Sequence, residues 1–407
     1  MEKNSIFADF HFHSKYSRAV SSSMNLHGLA LGALKKGLGI IGTGDFSHPL
    51  WLKEIENNLI ESEFEGLYRL KEGNGPLYTL TNEVATIIST ERGVKKVHHV
   101  IHCPDFQTIK QLNDVYSKMG KLSADGRPIF GKMSSSEFVE RTMEVSKDIL
   151  IYPAHVWTPW FGALGSKGGY DSLEECYEDQ VKHIHAIETG ISSDPKMNWR
   201  LSKLDKFAKI SNSDAHSNHP WRLGRECNAF LKSDKLSYSF IVDAIISRNS
   251  DEFLYTIETN PAYGKYHYDG HRKCDFSCNP QESLKLNRIC PKCNKPLVIG
   301  VENRVEELAD RPIDYVPNNA IGFKTILPLH ELIASMYKKA IESKIVQEKA
   351  NNIVDRFNSE LEVLLNVPEH KLTEITDKAI VDAIMKNREG KIDVVAGYDG
   401  VYGKVII

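Results

Sequence analysis

The chain has 407 residues, a length that predicts more than one domain. With 41% hydrophobic and 26% charged residues it has the composition of an ordinary globular protein, and no stretch approaches the roughly 18 consecutive apolar residues of a membrane span. The formal net charge of −3 excludes a globally basic field, so a nucleic-acid partner would have to be bound by a local basic patch.

The N-terminal segment, MEKNSIFADF, has no basic region followed by a long apolar run. We therefore expect no signal peptide and a cytoplasmic location. The chain has seven cysteines, and this odd number argues against a complete disulfide framework. Cys103, Cys176 and Cys227 are scattered along the chain and are predicted to be buried free thiols.

The first predicted strand carries two histidines in FADFHFHSKYS. Residues two apart on a strand share a face, so His11 and His13 are expected to point one way and Phe10 and Phe12 the other. Further strands are predicted over residues 38–46, 77–86, 97–103, 149–156, 184–190 and 207–216, and helices over 25–37 and 135–148. This alternation predicts an α/β sheet or barrel.

Residue types that bind metals recur where these strands end. They are His11, His13, Asp45, Glu83, His98, His99, His102, His155, Asp214 and His216. Parallel α/β folds place their sites at the carboxyl ends of strands, and mixed histidine and carboxylate ligands without cysteine suit Zn²⁺ or Mn²⁺. So many ligands exceed one tetrahedral site. The pattern therefore favours a cluster of two or three metal ions, which is typical of hydrolytic centres.

Residues 1–230 resemble the polymerase and histidinol phosphatase (PHP) superfamily in this HxH, Glu, His, His and DxH series. The resemblance implies a distorted (βα)7 barrel with a multinuclear centre of zinc, manganese or magnesium. The ligands that it implies are His11, His13, Asp45, Glu83, His99, His155, Asp214 and His216, with Asp214, His216, His155 and Glu83 central to catalysis. Asp45-Phe46 replaces the family's Asp-His dipeptide, which leaves His48 as an alternative to Asp45. His98 and His102 are expected to be structural neighbours.

A cysteine-rich module follows the predicted barrel. Cys274-x3-Cys278 and Cys290-x2-Cys293 have the spacing of a zinc ribbon, in which four thiolates close one structural zinc site. Residues 263–304 contain eight basic and four acidic residues, a local charge of +4, interleaved with tyrosines. The basic residues expected to contact a DNA backbone are Lys265, Arg272, Lys273, Arg288 and Lys292.

The remainder of the chain is predicted to be mainly helical. A long amphipathic run covers 329–366, another helix covers 374–390, and a hairpin turns at Asp399 and Gly400. The predicted domains are 1–230 (the PHP-like, metal-dependent domain), 231–304 (linker and ribbon) and 305–407 (helical).

The combination of barrel, ribbon and helical tail resembles the endonuclease Q family over essentially the whole chain. The strings that carry the resemblance are HFHSKYSRA and the stretches 154–177, 188–202, 213–228 and 397–404. The resemblance implies a repair nuclease that nicks double-stranded DNA 5′ to uracil, hypoxanthine, xanthine or an abasic site. A sliding clamp is a partner that the sequence leaves open.

Reading an altered base would require flipping it out of the stack into a pocket. The residues expected to line that pocket are close in sequence to predicted ligands. They are Tyr16, Arg18, Ser47, Trp157, Trp160 and Phe161.

Two other functions compete with that of a repair nuclease. A phosphomonoesterase related to histidinol phosphatases has no evident use for the ribbon and tail, and a non-catalytic binding module with a degenerate barrel would not retain so full a ligand set.

Overall fold

The structure is a computed structural model that describes residues 4–73 and 75–407. Its N-terminal region is built on twelve strands. They are β1 Ser5–Asp9, β2 Ile40–Gly42, β3 Leu59–Glu61, β4 Tyr68–Leu70, β5 Leu77–Thr90, β6 Gly93–Cys103, β7 Ile129–Gly131, β8 Leu150–Pro153, β9 Ala186–Glu188, β10 Ala208–Ile210, β11 Cys227–Leu231 and β12 Phe253–Glu258. The later strands are β13 Asp269–His271, β14 Phe276–Cys278, β15 Gly322–Thr325, β16 Asp393–Val395 and β17 Lys404–Ile406.

Seven of these strands form a distorted barrel, in the order β1, β2, β5, β6, β8, β9 and β10. The β1–β2, β2–β5 and β9–β10 pairs are parallel, whereas β6 is antiparallel to both β5 and β8. Single bridges join Ile151 to Ile184 and Phe12 to Ala215, which brings the chain after β10 back to the chain after β1. This architecture confirms the predicted distorted barrel. Its parallel strands deliver their carboxyl ends to one rim.

The sheet continues beyond the barrel. β1 pairs with β11, β11 with β12, and β12 with β15. The sheet thus crosses the domain boundary expected at residue 230, because β12 and β15 extend it from later parts of the chain. The domain limits themselves stay a prediction.

Helices cover the barrel wherever an apolar stripe can pack on the strands. They are α1 Leu26–Lys36, α2 Pro49–Asn58, α3 Phe106–Tyr116, α4 Ser135–Val145, α5 Leu173–Tyr177, α6 Pro195–Asn198 and α7 Tyr238–Ser247. The predicted helix over 25–37 is α1 with its caps. The Asn25 side chain accepts a hydrogen bond from the Gly28 amide, and Gly37 ends the helix with a left-handed φ of 99°.

The C-terminal part is helical, as predicted. Its helices are α8 Pro280–Lys285, α9 Val301–Leu308, α10 Leu329–Tyr337, α11 Lys344–Phe357, α12 Glu360–Leu365, α13 Glu369–Thr373 and α14 Lys378–Arg388. The amphipathic run over 329–366 is three helices, because Lys338 and Asn358 adopt left-handed φ values of 50° and 71° that end α10 and α11. The predicted terminal hairpin is β16 paired with β17. Among the described residues, no helix is long and apolar enough to cross a membrane.

A buried ion pair joins the C-terminal helices to the barrel. Lys36 Nζ, at the end of α1, lies 2.7 Å from Glu360 Oε1 at the start of α12, and it also donates to the Pro220 carbonyl at 2.9 Å. His330 Nδ1 lies 3.3 Å from the other oxygen of Glu360. Lys36, His330 and Glu360 are at most 1% exposed. The contact ties α10 and α12 to the loop that follows β10.

Candidate metal centre and zinc ribbon

His11 and His13 lie just after β1, at the rim of the barrel. Their rings are nearly perpendicular, with centroids 5.6 Å apart, and both Nε2 atoms approach Glu83 of β5. His11 Nε2 is 3.5 Å from Glu83 Oε1, and His13 Nε2 is 3.2 Å from Glu83 Oε2. Phe10 and Phe12 pack in the hydrophobic interior. The two histidines therefore converge on one carboxylate as their spacing predicts, whereas Phe10 and Phe12 belong to two separate hydrophobic clusters.

Three overlapping groups of side chains at this rim could each hold a metal ion. They are His11 with His13 and Glu83, Glu83 with His98 and His155, and His13 with Asp214 and His216, and within each group the ligand atoms lie within 4.8 Å of one another. Glu83 belongs to two groups, and so does His13. Shared ligands are typical of clusters in which neighbouring metal ions act on one phosphate.

Unpartnered polar atoms converge on this cluster. Among the described residues, His11 Nε2, His13 Nε2 and Asp214 Oδ1 are buried and have no hydrogen-bond partner. Burying such atoms without a partner is costly, whereas coordination would satisfy all three. His13 Nε2 and Asp214 Oδ1 are only 3.4 Å apart. The donor set therefore fits divalent metal ions.

Buried carboxylates orient the two histidines from behind. His11 Nδ1 lies 3.0 Å from both oxygens of Glu188, and His13 Nδ1 lies 3.0 Å from Asp45 Oδ1. Glu188 also accepts hydrogen bonds from the His155 amide at 2.7 Å and from Asn212 Nδ2 at 2.8 Å. A carboxylate behind a histidine fixes the tautomer that leaves the other nitrogen free to bind a metal.

Asp45 corrects the sequence interpretation. It was expected to be a ligand, but Oδ1 faces His13 and Oδ2 accepts hydrogen bonds from the Ser14 amide, the Ser14 hydroxyl and the Ser17 hydroxyl at 2.6, 2.7 and 2.8 Å. The alternative, His48, stacks on Tyr16 with ring centroids 4.6 Å apart. Neither residue belongs to the three groups. Asp45 is a positioning residue for His13.

His99 is the second correction. Its Nε2 lies 3.1 Å from Thr86 Oγ1 and its Nδ1 lies 3.0 Å from the Tyr177 hydroxyl, on the face of β6 turned away from the cluster. His98 takes the expected place, with Nδ1 2.7 Å from Glu83 Oε1. The choice between His98 and His99 depends on the register of the β5–β6 hairpin, which the sequence pattern does not give. Glu83 pairs with Val100, and alternation along β6 then puts His98 on the face of Glu83.

The electrostatics keep the carboxylates ionised. Burial alone would raise the pKa of Glu83, but His98 and Arg127 outweigh it and hold that pKa well below the usual value. Burial likewise opposes ionisation of Asp214, and His13 and His11 hold its pKa well below the usual value. Burial lowers the pKa of His98 to about 4 in spite of Glu83. The carboxylates and His98 are therefore in the protonation states that metal binding requires. Burial opposes protonation of His11 and His13, but Glu188 and Asp45 outweigh it and raise both pKa values well above the usual value, so metal binding would have to displace a proton from each.

Three residues of this rim have strained backbones. Asp45, His155 and Asp214 adopt φ values of 47°, 30° and 46°, in a region that residues other than glycine rarely occupy. A Cβ on Gly190 would lie 2.7 Å from the Cβ of His155, so glycine is required for this close approach. Strain of this kind concentrates at functional sites, where the surrounding structure enforces it.

Arg127 is a site residue that the sequence did not reveal. Its Nη1 lies 3.0 Å from Glu83 Oε2, and its side chain is 32% exposed. A Cβ on the preceding Gly126 would lie 2.1 Å from Ser17 Oγ and 2.2 Å from Asp45 Oδ2, so the loop reaches the rim only because residue 126 is glycine. Arg127 is a single arginine in a loop and belongs to no motif, so the sequence alone gives no indication that it is a site residue.

Four of the six predicted pocket residues have exposed or half-buried side chains, and one of them, Phe161, contacts a histidine of the cluster. The Phe161 ring lies 4.4 Å from that of His98, and Trp160 is 37% exposed and contacts Tyr266 at 5.2 Å between ring centroids. Tyr16 is half-buried and donates to Glu54 at 2.5 Å. Arg18 is 84% exposed, and its Nε lies 3.4 Å from Asp125 Oδ2.

The other two pocket residues do not fit an open pocket. Ser47 and Trp157 are each 1% exposed. The Ser47 hydroxyl donates to Asn82 Oδ1 at 3.0 Å, and Trp157 Nε1 donates to Asn198 Oδ1 at 2.8 Å. Both side chains are occupied in internal packing, because adjacency in sequence to a ligand does not determine on which side of a loop a side chain lies.

The cysteine module differs from the predicted four-thiolate site. The group that could hold a metal ion is His271, Cys274, Cys290 and Cys293, and Cys278 is not a member. Cys278 is buried beside Cys290 and Leu297. All seven cysteines are free, and Cys103, Cys176 and Cys227 are buried, as predicted.

The basic residues of the module differ in exposure. Arg272, Lys273 and Lys292 are exposed, whereas Lys265 and Arg288 are half-buried. Lys265 Nζ lies 4.6 Å from the ring centroid of Tyr402. Three of the five residues predicted to contact the DNA backbone are therefore exposed, and of these Lys292 also donates through Nζ to the Cys274 carbonyl.

Solved structures of similar proteins match the whole chain. The lesion-specific endonuclease PfuEndoQ from Pyrococcus furiosus aligns with a TM-score of 0.87 at 32% sequence identity, over 99% of this chain and 95% of that one. An endonuclease Q in complex with a 27-mer duplex substrate, with an abasic lesion at the active site, matches with the same TM-score and identity over 99% and 96%. The chain belongs to the endonuclease Q family.

Family membership extends to the helical region. A family model described as the MJ0043 C-terminal domain matches residues 328–391, which contain α10 to α14. The uncharacterized protein MJ0043 of Methanocaldococcus jannaschii is 33% identical over 253 residues, covering 61% of this chain. The match spans 31% of that archaeal protein.

Proposed function

We propose that this protein is a metal-dependent endonuclease that nicks double-stranded DNA on the 5′ side of an abasic site or a deaminated base. The observation that carries the proposal is the rim cluster, in which the unpartnered His11 Nε2, His13 Nε2 and Asp214 Oδ1 converge around Glu83. The similarity of the chain to endonuclease Q structures, one of them bound to a duplex with an abasic lesion, supports the choice of substrate.

Two or three divalent metal ions would be held by the three groups that share Glu83 and His13. When bound, such ions supply an activated water and neutralise charge on the phosphate. Glu188 and Asp45 hold the two histidines in the required tautomers, and Arg127 stands where its exposed part can donate to a non-bridging phosphate oxygen. Attack of water on phosphorus would leave a 3′-hydroxyl and a 5′-phosphate.

Lesion recognition would take place beside this centre. Flipping costs least where the base is missing or mispaired, which favours abasic and deaminated sites. Phe161, which contacts His98, and the partly exposed Trp160 and Tyr16 could stack on a displaced base, and Arg18 could pair with a phosphate. The exposed Arg272, Lys273 and Lys292 of the ribbon would hold the duplex through its backbone. Recruitment by a sliding clamp stays a prediction.

The test is a panel of duplexes that each carry one uracil, hypoxanthine, xanthine or abasic site, with the cut mapped at nucleotide resolution. We expect a nick 5′ to the lesion and no release of free base. Asp214→Asn should lower nicking at least about 100-fold, because it removes an anionic ligand. The exposed Asp251→Asn is the matched control and should retain full activity.

Two results would contradict the proposal. One is full nicking by a correctly folded Asp214→Asn protein. The other is rapid hydrolysis of p-nitrophenyl phosphate with no cleavage of any lesion duplex, which would favour the phosphomonoesterase.

A further inference from the structure

The ribbon contains two half-sites of the same local form. Each has a ligand, two intervening residues and a cysteine, namely His271-Arg272-Lys273-Cys274 and Cys290-Pro291-Lys292-Cys293. The residue after each final cysteine adopts a left-handed conformation, with φ of 44° at Asp275 and 56° at Asn294. This match aligns His271, not Cys274, with Cys290.

Hydrogen bonds close both turns and join them. The Asp275 amide donates to the Arg272 carbonyl at 3.1 Å, and the Asn294 amide donates to the Cys290 carbonyl at 2.9 Å. Lys292 Nζ, from the second turn, donates to the carbonyls of Cys274 and Asp275 in the first at 2.9 and 3.1 Å. The two half-sites therefore face each other in a fixed arrangement.

The ligand atoms have the separation that zinc requires. Tetrahedral zinc bound to thiolates and imidazole separates neighbouring ligand atoms by roughly 3.5 to 3.8 Å. His271 Nδ1 lies 3.2 Å from Cys293 Sγ, and all four ligand atoms lie within 4.8 Å of one another. Small adjustments would bring them onto one ion.

Cys278 lies at the wrong end of the β13–β14 hairpin. It pairs with Asp269, whereas Phe276 pairs with His271, so Cys278 lies two positions along the strand from the residue opposite the histidine. Its side chain is 5% exposed and packs with Cys290 and Leu297. The thiol fills the small apolar core of the ribbon.

We propose that the zinc ion of the ribbon is bound by His271, Cys274, Cys290 and Cys293, and that Cys278 is a packing residue with a free thiol. Three thiolates and a neutral imidazole give the zinc site a net charge of −1, whereas four thiolates would give −2.

The test uses the full chain loaded with Co²⁺ in place of zinc. Charge transfer from thiolate to cobalt gives a near-ultraviolet band whose intensity counts thiolates, and it reports the ribbon alone because the barrel groups contain no sulfur. We expect the intensity of three thiolates for the unmodified chain and for Cys278→Ala. His271→Cys should raise the band by about a third, because it adds a fourth thiolate.

The opposite pattern would overturn the proposal. A band of four thiolates in the unmodified chain, or one that falls by about a quarter in Cys278→Ala and is unchanged in His271→Ala, would assign the fourth ligand to Cys278. If Cys278→Ala does not fold, the unmodified chain and His271→Cys still decide between the ligand sets. None of these absorption measurements depends on nicking activity, so their result is independent of the proposed function.

Discussion

Arg127 places a positive charge against the carboxylate that two metal groups share. Its Nη1 is 3.0 Å from Glu83 Oε2, and its side chain is partly exposed. A phosphate that entered the cluster would bring negative charge to this point, and charge increases on its oxygens as the attacking water approaches. Preorganised donors aimed at such charge stabilise the transition state more than the substrate.

We therefore expect Arg127→Met to lower kcat by about 100-fold with a smaller change in KM. Arg127→Lys should recover part of the loss, since lysine keeps the charge but not the planar fork of donors. Single-turnover nicking of an abasic duplex measures both variants, with metal content as the control. A loss of bound metal that accounts for the whole decrease would show that Arg127 only stabilises Glu83.

At the scale of the element, the alternation of β6 decides which histidine faces the cluster. His98 and His99 are neighbours in sequence, but His98 contacts Glu83 and His155, whereas His99 contacts Thr86 and Tyr177 on the other face. The long hairpin of β5 and β6 fixes this assignment, because a one-residue slip would exchange the faces.

His98→Ala should remove metal from the barrel and lower nicking at least about 100-fold, while the fold is retained. His99→Ala should keep the barrel metal and lower the free energy of unfolding by about 1–3 kcal/mol, since it removes the partner of the buried Tyr177 hydroxyl and one of the partners of the Thr86 hydroxyl. Metal analysis and denaturant unfolding separate the two. Retained barrel metal in His98→Ala together with its loss in His99→Ala would restore the original interpretation.

At the scale of the whole molecule, the C-terminal helices are connected to the loop that carries Asp214 and His216. Trp221 of that loop stacks on His219 at 4.3 Å and packs against His330 of α10 at 4.7 Å between ring centroids. Lys36 bonds both to Glu360 of α12 and to the Pro220 carbonyl of the loop. Packing of the C-terminal helices therefore supports the loop that carries Asp214 and His216 of the cluster.

Breaking this ion pair should weaken both stability and activity. Lys36→Met leaves Glu360 charged in the interior and should lower the free energy of unfolding by about 3–5 kcal/mol, whereas Lys36→Met combined with Glu360→Gln should recover much of the loss. Burial opposes ionisation of Glu360, but Lys36 and His330 outweigh it and lower its pKa. The pair's contribution is therefore present above the ordinary glutamate pKa and lost as pH falls through the lowered value.

Denaturant unfolding of the single and double variants across this pH range measures the effect, and exposed Lys35→Met is the control. Equal stability of Lys36→Met and Lys35→Met would mean that the helical region docks without the ion pair. Equal nicking rates in both would mean that docking does not support the Asp214 loop.

The sequence by itself determined the alternation of strands and helices and the metal-binding residue types at the strand ends, because both follow from local rules, whereas the distorted barrel and the particular ligand set came from the family resemblance. Alternating apolar runs specify strands, parallel strands put their carboxyl ends on one rim, and the HxH and DxH pairs lie at two such ends. The free cysteines and the helical tail also followed from composition and periodicity. These features need no knowledge of which element lies beside which.

Only the tertiary structure decided the choices between neighbouring residues. His98 over His99 depends on the register of a hairpin, and Asp45 as a positioning residue depends on the hydroxyls that surround it. Arg127 reaches Glu83 through a loop with no motif, and His271 replaces Cys278 because the turn geometry of the ribbon aligns it with Cys290. Each depends on contacts between residues far apart in the chain, or on which way a backbone turns, and residue spacing encodes neither.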